Sequence, residues 1–188
     1  MQALPTEGRD MRSITVLALA VLFVAVPAAA QAQWETEADP IAFALHGLSL
    51  HVAHELPGGR ERLQIGVFGA DVPASWLPHE FTERSRGITM KVDYFLGHRP
   101  AGVFIGVDGD YSREDYALKN GRDSTARNVF ALGPRVGYRI DVGRHFYLTP
   151  WLSAGYQFNV HDDVVISGER FDQKRYSIFA TVHAGWRF

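Results

Sequence analysis

The chain has 188 residues, a length that suits one domain. Its 19 Lys+Arg nearly balance 21 Asp+Glu, which excludes the basic stripe that a nucleic-acid partner needs. Cysteine is absent, and this excludes disulfide staples, thiolate metal sites and a cysteine nucleophile.

The first element is a targeting segment. Met11-Arg12-Ser13 precedes the apolar run "ITVLALAVLFVAVPAAAQAQ". A positive residue, an apolar run and small residues ending in Ala30-Gln31-Ala32 have the layout of a cleaved secretory signal peptide. Residues 1–32 are therefore expected to be removed, and 33–188 to form the mature domain. A membrane-anchoring helix is the rival, but the run is at the short edge of a span and contains Pro27.

Beyond Ala32 the period is two almost everywhere, which is the mark of strands. "GLSLHVAHEL" sets Leu48, Leu50 and Val52 against Ser49, His51 and Glu55. "RLQIGVFG" sets Leu63, Ile65 and Val67 against Gln64, Gly66 and Phe68. "ITMKVDYFLG" sets Ile88, Met90, Val92 and Tyr94 against Thr89, Lys91, Asp93 and Phe95. "GVFIGVDGDY" sets Val103, Ile105 and Val107 against Phe104, Gly106, Asp108 and Asp110. "RVGYRIDV" and "HFYLTPWLSAGYQF" follow the same rule, with Arg135, Arg139 and Asp141 on the polar face of the former. "YSIFATVHAGWRF" has the cleanest alternation, from Tyr176 to Phe188. Short turn-like connections ("PGGR", "GHRPA", "DVGRH") alternate with long polar ones ("ADVPASWLPHEFTERSRG", "SREDYALKNGRDSTARN", "VHDDVVISGERFDQK").

The fold class is thus all-β, an antiparallel transmembrane β-barrel of about eight strands. A soluble lipocalin-like barrel, apolar inside, is the rival at this level. Aromatics at both ends of the apolar faces favour a lipid belt with two interfaces. Charges mixed with glycines on the other face favour a filled polar lumen. Seven strands are firm. The eighth is expected within Trp34–His46, because "DPIAFALHG" is apolar enough for a wall, with "DVVISGERF" as the alternative. Pro134 and Pro150 should lie nearly opposite each other and share one break in the ladder.

The last strand, "YSIFATVHAGWRF", resembles the C-terminal signal of bacterial outer-membrane proteins. With the leader, the chain from about residue 41 resembles the small OmpA/OmpX-like barrel domain. That resemblance implies a bacterial outer-membrane location, outer-membrane lipid around the barrel, and the barrel assembly machinery as a partner that reads Tyr176, Trp186 and Phe188. A monomer is expected. No cofactor, metal or nucleic acid is expected.

Candidate chemistry lies on the polar faces. Ser49, His51, Glu55, Lys91, Asp93, Asp108, Asp110, Arg135, Arg139, His183 and Arg187 are expected to form a lumen network. Paired charges in a narrow barrel act as a plug. The leading function is therefore a structural or surface-interacting barrel with a charge-plugged lumen, and no catalytic residues are assigned. One alternative is a lipid-modifying enzyme resembling the lipid A deacylases, using Ser49, His51 or His183 with Glu55, on the expectation that the last strand closes the barrel beside the "GLSLHVAHEL" strand and so brings His183 near Ser49 and His51. Against it, no histidine is followed two positions later by serine, and those groups point to the lumen. Another alternative is a narrow pore for small solutes. His51 and His54 are three apart on a strand, so they face opposite sides and cannot share a metal.

Overall fold

The computed structural model describes residues 33–188 except Asn120, Arg122, His161 and Asp162. The expected signal peptide lies outside the described residues. The elements in chain order are β1 (Trp34–Ala38), α1 (Pro40–Ala44), β2 (Leu48–Glu55), β3 (Glu61–Asp71), β4 (Phe81–Phe95), β5 (Gly102–Leu118), β6 (Ser124–Val142), β7 (Phe146–Gln157), β8 (Val164–Ile166), β9 (Glu169–Phe171) and β10 (Tyr176–Arg187). Eight of these strands close an antiparallel barrel in the order β1-β10-β7-β6-β5-β4-β3-β2. β8 and β9 form a separate hairpin whose turn, Ser167-Gly168, has φ of 53° and 88°. Positive φ at both central residues matches the twist of a two-residue hairpin.

The faces are inverted relative to a water-soluble barrel. Outward positions such as Ile65, Met90, Ile105, Val136 and Leu152 are exposed and apolar, while the inward Arg62, Asp93, Arg135 and Arg139 are buried. Exposed aromatics bound the apolar belt. Near the short turns lie Trp34, Tyr94, Tyr138, Phe146, Trp186 and Phe188. Near the long connections an aromatic arc crosses four strands. Tyr111 is paired with Phe130, Phe130 packs on Phe158, and Tyr156 packs on both Phe158 and Tyr176. A band of this size left open to water would be an aggregation surface.

β4, β5 and β6 rise beyond that arc. There the outward side chains turn charged: Arg84, Arg86, Arg113 and Asp115, with Arg86 and Asp115 paired at 3.1 Å. Composition alone reads "EFTERSRG" and "SREDYALKNGRDSTARN" as loop. The alternation in fact continues through them, with Ser112, Glu114 and Tyr116 inward, so only residues 119–123 connect β5 to β6. The hairpin packs there, where Val164 and Ile166 join Phe81 and Tyr116 in a buried apolar cluster.

Three sequence expectations need correction. The eighth strand does lie within Trp34–His46, but it is "WETEA"; most of "DPIAFALHG" forms α1 and the turn after it. Asp39 is the reason. Its carboxylate accepts hydrogen bonds from the backbone N–H of Ile41 (2.8 Å) and Ala42 (3.3 Å), and Pro40 follows at the first helical position. Both are strong helix-start signals. Second, the seam is not between Leu48–Glu55 and the last strand, because β1 is wedged between them. Third, the prolines do not share a break. The turn pairs Val142 with Phe146, and that register puts Pro134 opposite Ala154 and Pro150 opposite Tyr138. The β6–β7 ladder is therefore interrupted twice, each time beside one proline that lacks a donor.

Candidate functional site

The lower lumen, at the short-turn end, is filled by ion pairs. β1 supplies Glu35 and Glu37, two residues apart and therefore both inward. Arg62 of β3 reaches Glu37 at 2.6 Å, Asp93 at 3.0 Å and Glu35 at 3.3 Å, and all four side chains are fully buried. A guanidinium has five donors in a fixed fork, so one Arg can serve several carboxylates. Arg139 of β6 pairs with Glu35 and, at 3.4 Å, with Glu55, while its guanidinium lies 3.6 Å from the Tyr147 ring centroid. Tyr147 donates to Glu35 at 3.0 Å, and Arg187 reaches Glu35 at 3.3 Å and Asp141 at 3.6 Å. Arg135 is 3.4 Å from Asp93 and is held between the rings of Trp151 and Phe104.

Glycines make room for this filling. A Cβ on Gly185 would meet the Tyr147 ring at 2.2 Å, and one on Gly66 would meet His51 Nδ1 at 2.0 Å. The large inward side chains therefore occupy the volume that these glycines leave across the wall.

The next level holds imidazoles. His51 and His183 stack with ring centroids 4.7 Å apart, although β1 separates their strands. Ser49 Oγ is 2.8 Å from His51 Nε2, and His183 Nδ1 is 2.8 Å from Glu37. Gln64 donates to Glu37 at 2.6 Å. This geometry does not assemble a serine–histidine–acid relay. His51 Nδ1 has no partner among the described residues, Glu37 engages the other histidine, and Glu55 is bound by Arg139 and Arg187 one level below. His54 points outward and packs on Trp34, 4.7 Å between centroids.

Above the imidazoles the lumen is not filled. A cavity of about 380 Å³ extends from Lys91, His51 and Trp151 up to Glu83 and Glu114, with Asp108 and Asp110 on its wall. Lys91 is buried, and its ammonium lies 4.7 Å from the Trp151 ring centroid. Among the described residues it makes no hydrogen bond and no ion pair.

Of the residues singled out from the sequence, Glu55, Asp93, Arg135, Arg139 and Arg187 lie in the ionic level. Ser49, His51 and His183 lie in the imidazole level. Lys91, Asp108 and Asp110 line the cavity. Tyr176 is outward at the upper end of β10, and Trp186 and Phe188 are outward at the lower end. Sequence reasoning missed Glu35, Glu37, Arg62, Gln64, Tyr147 and Trp151. The signal for the first two was present: in "WETEA" the acids alternate with Trp34, Thr36 and Ala38, as charges do on every inward face.

No family model matches the sequence, and no curated protein matches it. Two solved structures are similar. A major outer membrane protein from Thermus thermophilus aligns with 84% of this chain and 100% of its own, at TM-score 0.51 and 16% identity. The N-terminal β-barrel domain of Pseudomonas aeruginosa OprF aligns over 84% and 100%, at TM-score 0.49 and 11% identity. With the inverted faces and the closed ring of strands, the chain has the fold of a small outer-membrane eight-stranded β-barrel.

Proposed function

We propose that this chain is a bacterial outer-membrane protein whose barrel is a plugged, non-conducting scaffold with a structural or surface-interacting role. The observation that carries this reading is the Arg62 cluster with Glu35, Glu37 and Asp93, all fully buried across the lumen. A permeation path would have to break those pairs, and an eight-strand interior is narrow enough for side chains to fill it at that level. The apolar belt with its two aromatic borders supports a membrane-spanning position, which in this fold means the outer membrane. The charged extension of β4–β6 and its hairpin would then project outside and offer the surface for contacts. Tyr176, Trp186 and Phe188 would serve as the signal for the assembly machinery, and the chain would act as a monomer.

The test is to express the full chain, recover it from the outer membrane, and reconstitute it in planar bilayers. Heat-modifiable migration in detergent and a bare baseline without unitary conductance steps are expected. A soluble product, or reproducible steps from a folded sample, would overturn the reading.

A further inference from the structure

The barrel wall is incomplete at one place. β1 pairs with β10 only from Ala184 to Arg187, so the edge of β10 from Tyr176 to His183 has no strand beside it. The short helix α1 packs into the gap between β10, β2 and β3. Asp39 ties it down, accepting from Thr181 Oγ1 at 2.7 Å. Above α1 the gap is bordered by the β3–β4 connection, where Trp76 is exposed, and by the upper part of β10. Phe179 points inward yet is 44% exposed, whereas the inward Trp151 on which it packs is 7% exposed. The outward Ile178 lines the cavity together with the inward Phe179, so the cavity reaches through the wall beside them. Ile178 at its mouth belongs to the apolar belt.

At the inner end of the same cavity is the unpartnered Lys91. Its cross-strand neighbour is Asp108, but no carboxylate oxygen lies within 4.0 Å of its ammonium among the described residues. A buried ammonium without a counter-ion is costly unless something pairs with it. The site therefore has an ammonium at its closed end, an aromatic and apolar side (Trp151, Phe179, Phe68, Leu45) that runs to a mouth at the level of lipid, and carboxylates (Asp108, Asp110, Glu83, Glu114) on the remaining wall. Its volume falls in the range of small-ligand sites.

We infer that this cavity binds a single-chain lipid carboxylate, entering through the wall gap above α1, with its head on Lys91 and its chain passing Phe179 into the apolar belt. This goes beyond a scaffold role and does not depend on it. A carboxylate completes the Lys91 charge, and one extended chain fits a gap the width of one missing strand.

The experiment uses the full barrel in an uncharged detergent, titrated with palmitate carrying ¹³C at its carboxyl. Saturable binding near one per barrel is expected, with a bound carboxyl resonance distinct from that of micellar palmitate. Palmityl alcohol should not displace it, and acetate should not bind. Lys91→Gln should weaken binding at least tenfold. Phe179→Glu, at the exposed mouth, should abolish it while the protein keeps its heat-modifiable migration, which serves as the folding control if the lumen variant misassembles. Absence of saturable binding would overturn the inference. Equal binding by Lys91→Gln, or equal competition by the alcohol, would also overturn it.

Discussion

The two halves of the lumen are built on the same strands and answer the same problem differently. Below the His51–His183 stack, Glu35, Glu37, Glu55 and Asp93 meet Arg62, Arg135, Arg139 and Arg187, and the space is full. Above it, Lys91, Asp108 and Asp110 face a cavity. The difference follows from the cation used. Arg carries a rigid fork that holds several carboxylates at once, whereas Lys is a point charge on a flexible stem. It follows also from the wall. β1 ends at Ala38, so the lower level has eight strands around it and the upper level has a helix and a gap in place of one.

The largest expected effect comes from breaking the filled half. Arg62→Ala leaves Glu35, Glu37 and Asp93 buried with a shared partner gone, and such losses typically cost about 3–5 kcal/mol. Urea unfolding of the reconstituted barrel should show it, with the folded band lost at lower denaturant. Lys91→Gln should cost much less by the same measurement, because the upper charge has no partner to orphan. Equal losses would erase the contrast between the halves.

Gly185→Ala tests whether the lower half is close-packed. The new methyl would run into the Tyr147 ring. Overpacking of this kind costs typically about 1–3 kcal/mol. Gly155→Ala is the control in the upper half, where the nearest atom to a new Cβ is Ser177 Oγ at 3.0 Å, a small side chain beside open space. Gly155→Ala should be the milder substitution in the same unfolding assay.

Asp39→Ala removes the cap of α1 and its tie to Thr181. Loss of a cap costs about 1 kcal/mol. Because α1 stands beside β10 without the backbone ladder a strand would supply, faster amide exchange should appear in residues 40–47 and along the free edge of β10. The β4–β6 sector should be unchanged.

How much of this could be read from the sequence follows the same division. The strands and their faces were legible because a strand is the backbone form that sends every second side chain to one side, so full charges repeating at a period of two mark one face; Lys91–Asp93 and Arg135–Arg139 are examples. The ends of strands were not, because above the lipid belt both faces are polar and "SREDYAL" has the composition of a loop. β1 was half legible: five residues are too few for periodicity to declare, and the apolar "IAFAL" beside it has the composition of a wall strand, whereas "WETEA" does not. The pairing inside the lumen was illegible, since it depends on which strands face each other across the barrel. Arg62 and Glu37 are 25 residues apart and meet only after closure. The cavity itself arises from the shortness of β1, a length that alternation does not report.

The smallest expected effect is electrostatic and lies beyond the membrane-spanning part of β4, which begins at Ile88. Glu83 faces inward on the upper extension. Burial, reinforced by the nearby Glu114, pushes its carboxyl up to about 7, and Arg127 offsets this only in part. A carboxyl raised on folding is protonated in the folded extension while its unfolded counterpart, near 4.5, has already ionised. Between those two values the folded state holds the extra proton, so stability falls as pH rises through the window. Below it both states are protonated, and above it both are ionised, so the slope vanishes at either end. Amide exchange in residues 81–87 and 112–118, corrected for intrinsic rates, should therefore lose protection from pH 4.5 to 7 and then level off. Glu83→Gln should remove that slope and leave the filled lower lumen untouched. A slope that persists in Glu83→Gln would show that Glu83 is not its source, and that the pH response of the open half of the lumen lies elsewhere.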